Sequence, residues 1–362
     1  MRILQVTPRY FPNIGGVEEL VQRISEMLVV NKFEVTVYSV DLNPTLSRMQ
    51  KVNGVIVKRF SPIFGDPLYF PEPTFINAIR KERAEIIHVH NVHTILPFIV
   101  ALCKKKKQKF LLHPHYHRFG QSPLRSSLFE LYKYGLKKVL FFSIDAVIAN
   151  SLYEEEILCE DFLLHGKTIL IPEGIDIKEC KSVKYKPAEP KRILYVGALK
   201  GYKNVDKIVN AFAYLTKIGR KDFRLVIVGE GPEYPVLVDL TRRLNIDEFV
   251  EWKSRLTRQQ LLDEYSKASV LVHLSPLESF SRVVYEALLI GVPTVTLNFG
   301  ATENLVKKGF AEGVSSLGSK KIAEAILKAV SKNYLKITES SSLVLSWKDY
   351  LSKLIELYYD LL

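Results

Sequence analysis

The residues best placed to do chemistry lie in LSPLESFSRVVYEALLIGVPTV, residues 274–295. Glu278 and Glu286 are separated there by seven residues. A strand-like run ends at Ser275-Pro276, a helix is predicted to begin near Ser279 to Ser281, and Gly291 followed by Pro293 closes it. That reading leaves Glu278 in the loop and Glu286 in the second turn, so both carboxylates can face a ligand crossing the helix N-terminus. Carboxylates accept paired hydrogen bonds from vicinal hydroxyls, such as the diol of a ribose or hexose. The N–H groups near Phe280 and Ser281, with the helix dipole, suit a phosphate. Two glutamates at a helix start also complement the dipole with no ligand present, and spacing alone leaves both readings open.

Six of the eight histidines (His88, His90, His93, His113, His115 and His117) fall within thirty residues, at the ends of two strand-like runs. HVHNVH and HPHYH have metal-ligand spacings, and imidazoles two apart on a strand share one face. No cysteine or acid stands close by in sequence, which favours satisfied histidines over an ion. Cys103, Cys159 and Cys180 are an odd number without C-x-x-C spacing, so neither a disulfide framework nor a thiolate zinc site is indicated, and a reducing compartment fits. The chain has no D-x-D, so no metal is expected on a diphosphate. GxGxxG is also absent: Gly15-Gly16 is a bare pair and Gly229-Glu230-Gly231 is followed by Pro232, which argues against a nicotinamide dehydrogenase. Tight turns alone would account for these glycines equally well.

The elements that must position these groups follow from the hydrophobic period. With 362 residues, 47% of them apolar and 25% charged, the chain has the length and composition of a two-domain globular protein. Strand-like runs occur at RILQVT (2–7), FEVTVYSV (33–40), VIVKRF (55–60), EIIHVH (85–90), KFLLHPH (109–115) and DAVIANS (145–151), with helical patterns between several of them. RILYVGALKGYKN, FRLVIVGEGPE, SVLVHLSP and PTVTLNF repeat this grammar from residue 192 onward. Alternating strands and helices predict an α/β fold with doubly wound parallel sheets. Residues 1–172 are read as one Rossmann-like domain, 173–190 as a proline-rich linker, 191–339 as a second such domain, and 340–362 as a helix packing back on the first. Thr257 with Gln260 is a capping pattern. Ligands in such sheets sit beyond the carboxyl ends of the strands, where the unusual residues cluster.

The net charge of +12 is concentrated. Between residues 101 and 140, ten basic residues (Lys104, Lys105, Lys106, Lys107, Lys109, Arg118, Arg125, Lys133, Lys137, Lys138) face one acid, Glu130. In residues 126–142, Leu128, Leu131, Tyr132, Leu136 and Val139 recur near a helical period beside the lysines. Two readings stand: a solvated charge run over a core-facing helix, or a surface for anionic lipid. The longest uncharged apolar stretch, ILPFIVALC, is too short to span a bilayer. Met1-Arg2 runs straight into a strand pattern, which predicts no secretory leader and a cytoplasmic protein, either free or peripheral on the cytoplasmic face of the membrane.

The segment ESFSRVVYEALLIGVPTV resembles the E-x7-E signature of retaining nucleotide-sugar glycosyltransferases of family 4. FPNIGGVEE, HVHNVH, LLHPHYH, IPEGID, YVGALKGYKN, LVIVGEGPE and a stretch around SWKDY are similar to further motifs of that family, in order over nearly the whole chain. The resemblance implies a GT-B fold, two facing Rossmann-like domains with a deep cleft between them. It implies that Glu286 holds the nucleotide ribose and Glu278 the donor sugar, and that Phe280 and Ser281 offer backbone N–H groups. Lys203 would neutralise the leaving diphosphate. Gly15, Gly16 and Gly197 would belong to donor-binding loops, with Arg282 beside them, and His115 would lie near the reacting sugar. The implied reaction is hexose transfer from a UDP- or GDP-linked donor to a hydroxyl of a glycan or lipid-linked acceptor, with retention, without cofactor or metal. Three positions depart from the pattern: Ala198 for an arginine, Glu173 for an asparagine and Ser281 for a glycine. Loss of the arginine removes half of the usual cationic clamp, for which Arg282 and Lys200 are the candidate replacements. A nucleotide-sugar 2-epimerase of the same fold is the nearest rival. A nucleic-acid binder is not expected, because no basic-aromatic RNA motif is present.

Overall fold

The computed structural model describes residues 1–362 except 14, 42, 44, 119–122, 333, 336 and 338–342, and of residues 123–125, 128 and 141 the backbone only. The chain forms two compact units, Met1–Pro172 with Lys348–Leu362, and Glu173–Trp347.

The first unit is built on strands β1 (Arg2–Thr7), β2 (Glu34–Ser39), β3 (Met49–Val52), β4 (Val55–Arg59), β5 (Ile86–His90), β6 (Lys109–His113), β7 (Ala146–Ala149) and β8 (Thr168–Leu170). They lie in the order β8-β7-β6-β5-β1-β2-β4-β3, parallel except for β3. Order reverses between β1 and β5, so the loops after these two strands open beside one another. Helix α1 (Gly16–Val30) follows β1, α2 (Pro123–Ser143) follows β6, and α3 (Leu152–Phe162) follows β7. Side chains alternate across each strand. Leu4, Val6, Ile87, Val89, Phe110 and Leu112 enter one apolar core. The opposite face of the same strands carries Gln5, His88, His90 and His113, all fully buried.

In the second unit the strands are β9 (Lys191–Val196), β10 (Phe223–Val228), β11 (Val250–Lys253), β12 (Val270–His273), β13 (Thr294–Leu297) and β14 (Glu312–Val314), all parallel in the order β11-β10-β9-β12-β13-β14. Apolar cores cover both faces, as a buried parallel sheet requires. Here the order reverses between β9 and β12. The helices that matter to the site are α4 (Val205–Lys217) after β9, α5 (Arg258–Lys267) after β11 and α6 (Arg282–Ile290) after β12. The last helix, α7 (Trp347–Leu361), lies almost wholly in the first unit.

Residues 173–190 are not the open linker that their prolines suggest. Gly174–Ile175 pairs in parallel with Leu345–Ser346, and Ile177–Ser182 is helical. Ile175, Ile177 and Cys180 are buried in the second core. Pro172, Pro187 and Pro190 bracket this element without interrupting it, and the apolar spacing between them decides its fate.

Candidate active site

Lys203 is set by the loop after β9. Gly229, at φ +151°, approaches so closely that a Cβ there would collide with the Gly197 carbonyl oxygen. Leu199 N–H then bonds Glu230 O at 2.8 Å, fixing the outgoing chain. The turn Gly201–Lys203 ends at Asn204, a left-handed residue (φ 57°, ψ 33°) that opens α4. Asn204 Nδ2 donates to Leu274 O at 2.7 Å and ties this loop to the end of β12. The lysine is thereby delivered onto Glu278, with which it forms an ion pair between largely buried groups.

Glu278 follows β12, whose last residue is His273. His273 Nε2 lies 3.2 Å from Glu278 Oε1 and 3.1 Å from Ser281 Oγ. Ser281 is the N-cap of α6 at φ 81°, ψ 68°. That left-handed conformation explains why the resembling family has glycine there; serine holds it at a cost of roughly 1–2 kcal/mol. Its hydroxyl serves His273 and makes no capping bond, so it satisfies none of the first N–H groups of α6. Phe280 is buried and stacks on Tyr285, centroids 4.3 Å apart. Burial alone would raise the Glu278 pKa, but the Lys203 charge and the bonds from His273 and Lys203 hold it well below the ordinary carboxylate range. Burial likewise works against the Lys203 ammonium, and the Glu278 charge outweighs it, leaving that pKa raised.

Glu286 has a different environment one turn into α6. Arg258 Nη1 bonds Glu286 Oε1 at 2.8 Å, and the Tyr265 hydroxyl donates to Oε2 at 3.3 Å. Arg258 Nε also reaches Glu179 Oε2 at 2.7 Å. Burial lifts the Glu286 pKa above its usual value even though Arg258 and Arg282 oppose it. The two carboxyls are thus pushed in opposite directions. Burial raises the Cys180 thiol of this network to about 12, an inert group. The sequence reading missed Arg258, Tyr265 and Glu179. Thr257 and Gln260 do form the expected capping box of α5, which fixes Arg258 as that helix's first residue. Arg282 Nε pairs with Glu173 Oε1 at 2.9 Å, so two positions noted in the sequence meet directly. Ala198 is exposed and Lys200 half-buried.

In the first unit, Gly15 caps α1 in an extended conformation and Gly16 has open space where a side chain would stand. Their loop is braced by Arg9 on Glu18 at 2.5 Å and by Asn13 on Asp41 at 2.7 Å, with Asp41 itself 3.1 Å from Arg59. His115, just past β6, is left-handed at φ 49° and belongs to the histidine cluster of the buried sheet face. Lys104 and Lys105 donate to the carbonyls of Gln108 and Glu82 at 2.9 and 2.7 Å, while Lys106 and Lys107 are exposed. Arg118 pairs with Glu160 and Asp161, and Lys133 with Glu130 and Asp161. Lys137 is half-buried, Lys138 exposed; the Arg125 side chain lies outside the described residues. Phe129, Leu136 and Leu140 form the core face of α2, whereas Leu131, Tyr134 and Phe142 are 76%, 73% and 84% exposed. Leu131 therefore departs from the expected core face, because the helix carries apolar residues on two sides. Among the described residues no helix is long and apolar enough to cross a membrane.

Two family profiles match in tandem: "Glycosyltransferase Family 4" over residues 14–179 and "Glycosyl transferases group 1" over residues 176–341. The chain belongs to glycosyltransferase family 4. A GDP-mannose-dependent alpha-mannosyltransferase of Corynebacterium glutamicum is 22% identical over 85% of this chain and 75% of its own. An alpha-monoglucosyldiacylglycerol synthase of Acholeplasma laidlawii is 21% identical over 82% and 80%. The sucrose-phosphate synthase of Thermosynechococcus elongatus shares the fold with a TM-score of 0.77 at 20% identity, over 99% of this chain and 98% of that one. The architecture is accordingly GT-B, with two Rossmann-like units, and the chemistry is glycosyl transfer from a nucleotide sugar.

Proposed function

We propose that this family 4 member is a retaining, metal-independent hexosyltransferase that takes its sugar from a UDP- or GDP-linked donor. The observation that carries the reading is the Lys203–Glu278 pair at the strand-order reversal of the second unit, beside the N-terminus of α6. A cation, a row of N–H groups and two carboxylates whose pKa values are pushed in opposite directions suit a diphosphate flanked by two diols. Lys203 would turn from Glu278 to the diphosphate as charge grows on the leaving group, and Glu286 would hold the ribose. In the retaining mechanism the acceptor hydroxyl attacks from the side the diphosphate leaves, and a donor phosphate oxygen takes its proton. Positioning and leaving-group stabilisation then supply the catalysis, with neither glutamate a nucleophile. The lack of D-x-D supports a metal-free clamp.

The acceptor is proposed to be a glycan or lipid-linked hydroxyl reached from an anionic membrane surface on the cytoplasmic side. Support comes from α2, where the exposed Leu131, Tyr134 and Phe142 share the helix with Lys137 and Lys138. The Acholeplasma relative, named for a diacylglycerol product, is consistent with such an acceptor.

Thermal-shift measurements against UDP-, GDP- and ADP-sugars identify the donor, a ligand at 100 times its Kd adding about 2.7 kcal/mol. Calorimetry on Glu286→Ala then tests the site: free nucleoside diphosphate should bind roughly 10- to 150-fold more weakly, the loss of one charged hydrogen bond. Unchanged affinity in a folded variant would remove the ribose assignment. Product analysis with donor alone separates transfer from 2-epimerisation.

A further inference from the structure

Arg258 stands where a helix disfavours it. The capping box of Thr257 and Gln260 makes it the first residue of α5, at the positive end of that helix's dipole. Two carboxylates from two other elements hold the cation there against the local field: Glu286 of α6 through Nη1 at 2.8 Å, and Glu179 of the short helix Ile177–Ser182 through Nε at 2.7 Å. Nη2 lies 3.8 Å from Cys180 Sγ, so the guanidinium is engaged on three sides. A guanidinium is a rigid planar fork, and anchoring Nε on Glu179 therefore fixes the direction from which Nη1 meets Glu286. Glu286 is the more enclosed of the two carboxylates, its side chain 12% exposed against 38% for Glu179. All of these residues belong to the second unit.

These bonds use half of what Glu286 can accept. An ionised carboxylate has about four lone-pair sites, two on each oxygen. Arg258 takes one on Oε1 and the Tyr265 hydroxyl one on Oε2, which leaves one site on each oxygen. Two neighbouring hydroxyls fill that pattern, provided the carboxyl is ionised; protonation would turn one of the oxygens into a donor. Burial pushes Glu286 toward the protonated form, and the Arg258 charge is the largest influence opposing it, ahead of Arg282 on α6 and the Tyr265 hydroxyl. Burial keeps Cys180 and Tyr265, the other titratable groups around the pair, in their neutral forms.

We propose that Arg258 is a positioning residue for Glu286, fixing one of its oxygens and leaving a matched pair of acceptor sites for the vicinal hydroxyls of a ribose. Glu179 acts one step further back, by holding Arg258. This rests on the assignment of Glu286 to the nucleotide ribose. Arg258 itself touches the carboxylate and not the nucleotide, so its loss acts only through Glu286.

Calorimetry on the full chain with UDP and with GDP, followed from pH 7.5 to 5.5, tests this. In Arg258→Met the nucleoside diphosphate should bind about 10-fold more weakly at pH 7.5, the scale of one charged hydrogen bond. Its affinity should also begin to fall at a higher pH than that of wild type, because Glu286 protonates sooner once its main counter-charge is gone. Ionisation of the diphosphate itself is common to all variants and cancels in the comparison. Glu286→Gln should bind weakly at every pH, and adding Arg258→Met to it should cost no more than about 2-fold, since the two act in one chain. Where urea midpoints show Arg258→Met unfolded, Arg258→Lys carries the test: it keeps the charge but loses the fork, so affinity should drop about 3-fold or more with the wild-type pH profile retained. A folded Arg258→Met that matches wild type in affinity and pH profile, an Arg258→Lys with wild-type affinity, or losses from Arg258→Met and Glu286→Gln that multiply overturns the proposal alone. Glu286→Gln with wild-type affinity removes the ribose assignment, and the proposal with it.

Discussion

Lowering the pH from 7 to 5.5 should destabilise the first unit, because its buried histidines fold as neutral rings. Burial lowers the His113 pKa from 6.5 to about 4, with the Asn150 bond only partly opposing. A base whose folded pKa is depressed binds fewer protons folded than unfolded, so stability falls as pH drops through the unfolded value near 6.5 and levels off only below the folded one. For His113, the unfolded chain gains protons over this interval while the folded chain gains almost none, which costs about 1.3 kcal/mol. His88 and His90 are fully buried and shifted in the same direction. Both rings add to the His113 cost in the same direction, against total stabilities of roughly 5–15 kcal/mol for a domain. Ordinary carboxylates remain ionised across this range; among the described residues burial raises Asp41 in the first unit and Glu286 in the second. Seven of the eight histidines lie in the first unit, and both tryptophans, Trp252 and Trp347, in the second. Urea unfolding followed by far-UV circular dichroism should therefore show an early transition that moves to lower urea by pH 5.5, while the tryptophan-detected transition moves less. Coincident midpoints at the two pH values, or a His113 Cε1–H resonance titrating near 6.5, would refute the reasoning.

Lys203→Met should cost about 3–5 kcal/mol of stability, since it strands the Glu278 carboxylate, and adding Glu278→Gln should recover most of the stability but none of the turnover, checked by urea midpoints and donor assays. Ser281→Gly should be about 1 kcal/mol more stable than Ser281→Ala, since both lose the bond to His273 but only alanine keeps the left-handed strain; equal midpoints would count against that conformation. Lys106 and Lys107 replaced by serine should weaken co-sedimentation with anionic vesicles by up to about 30-fold, roughly 1 kcal/mol for each exposed lysine, and equal sedimentation of wild type and variant would leave these lysines as a solvated charge run.

Within the two main sheets, the strands that escape the sequence reading share a position. Met49–Val52 and Thr168–Leu170 are the two edges of the first sheet, and Val250–Lys253 and Glu312–Val314 the two edges of the second. Central parallel strands are covered on both faces and read as continuous apolar runs; an edge strand is half solvated and short, so its signal drops into that of a loop. RILQVT, by contrast, coincides with its strand residue for residue. The site divides in the same manner. Glu278, Ser281 and Glu286 are legible because one loop–helix segment holds them in order. Arg258 reaches Glu286 from 28 residues away and Glu179 holds Arg258 from 79 residues away, and no local period marks a side chain whose partner is supplied by topology.

That distinction also explains the three departures from the family pattern. Ser281 keeps the backbone geometry of a glycine and turns its added hydroxyl to His273, so the substitution changes the polar lining of the Glu278 site while leaving the course of the chain intact. Glu173 adds a charge to a buried position, which is tolerable because Arg282 stands 2.9 Å away; neither residue is intelligible alone. The same pairing bears on the missing clamp at Ala198. An arginine paired with a buried carboxylate has its position set, and it must leave that ion pair before it can follow a leaving diphosphate. Glu173→Gln should weaken that hold and raise the affinity for free nucleoside diphosphate if Arg282 is the replacement cation. Unchanged affinity in calorimetry would assign Arg282 to the architecture of α6 and leave Lys200 as the remaining candidate beside Lys203.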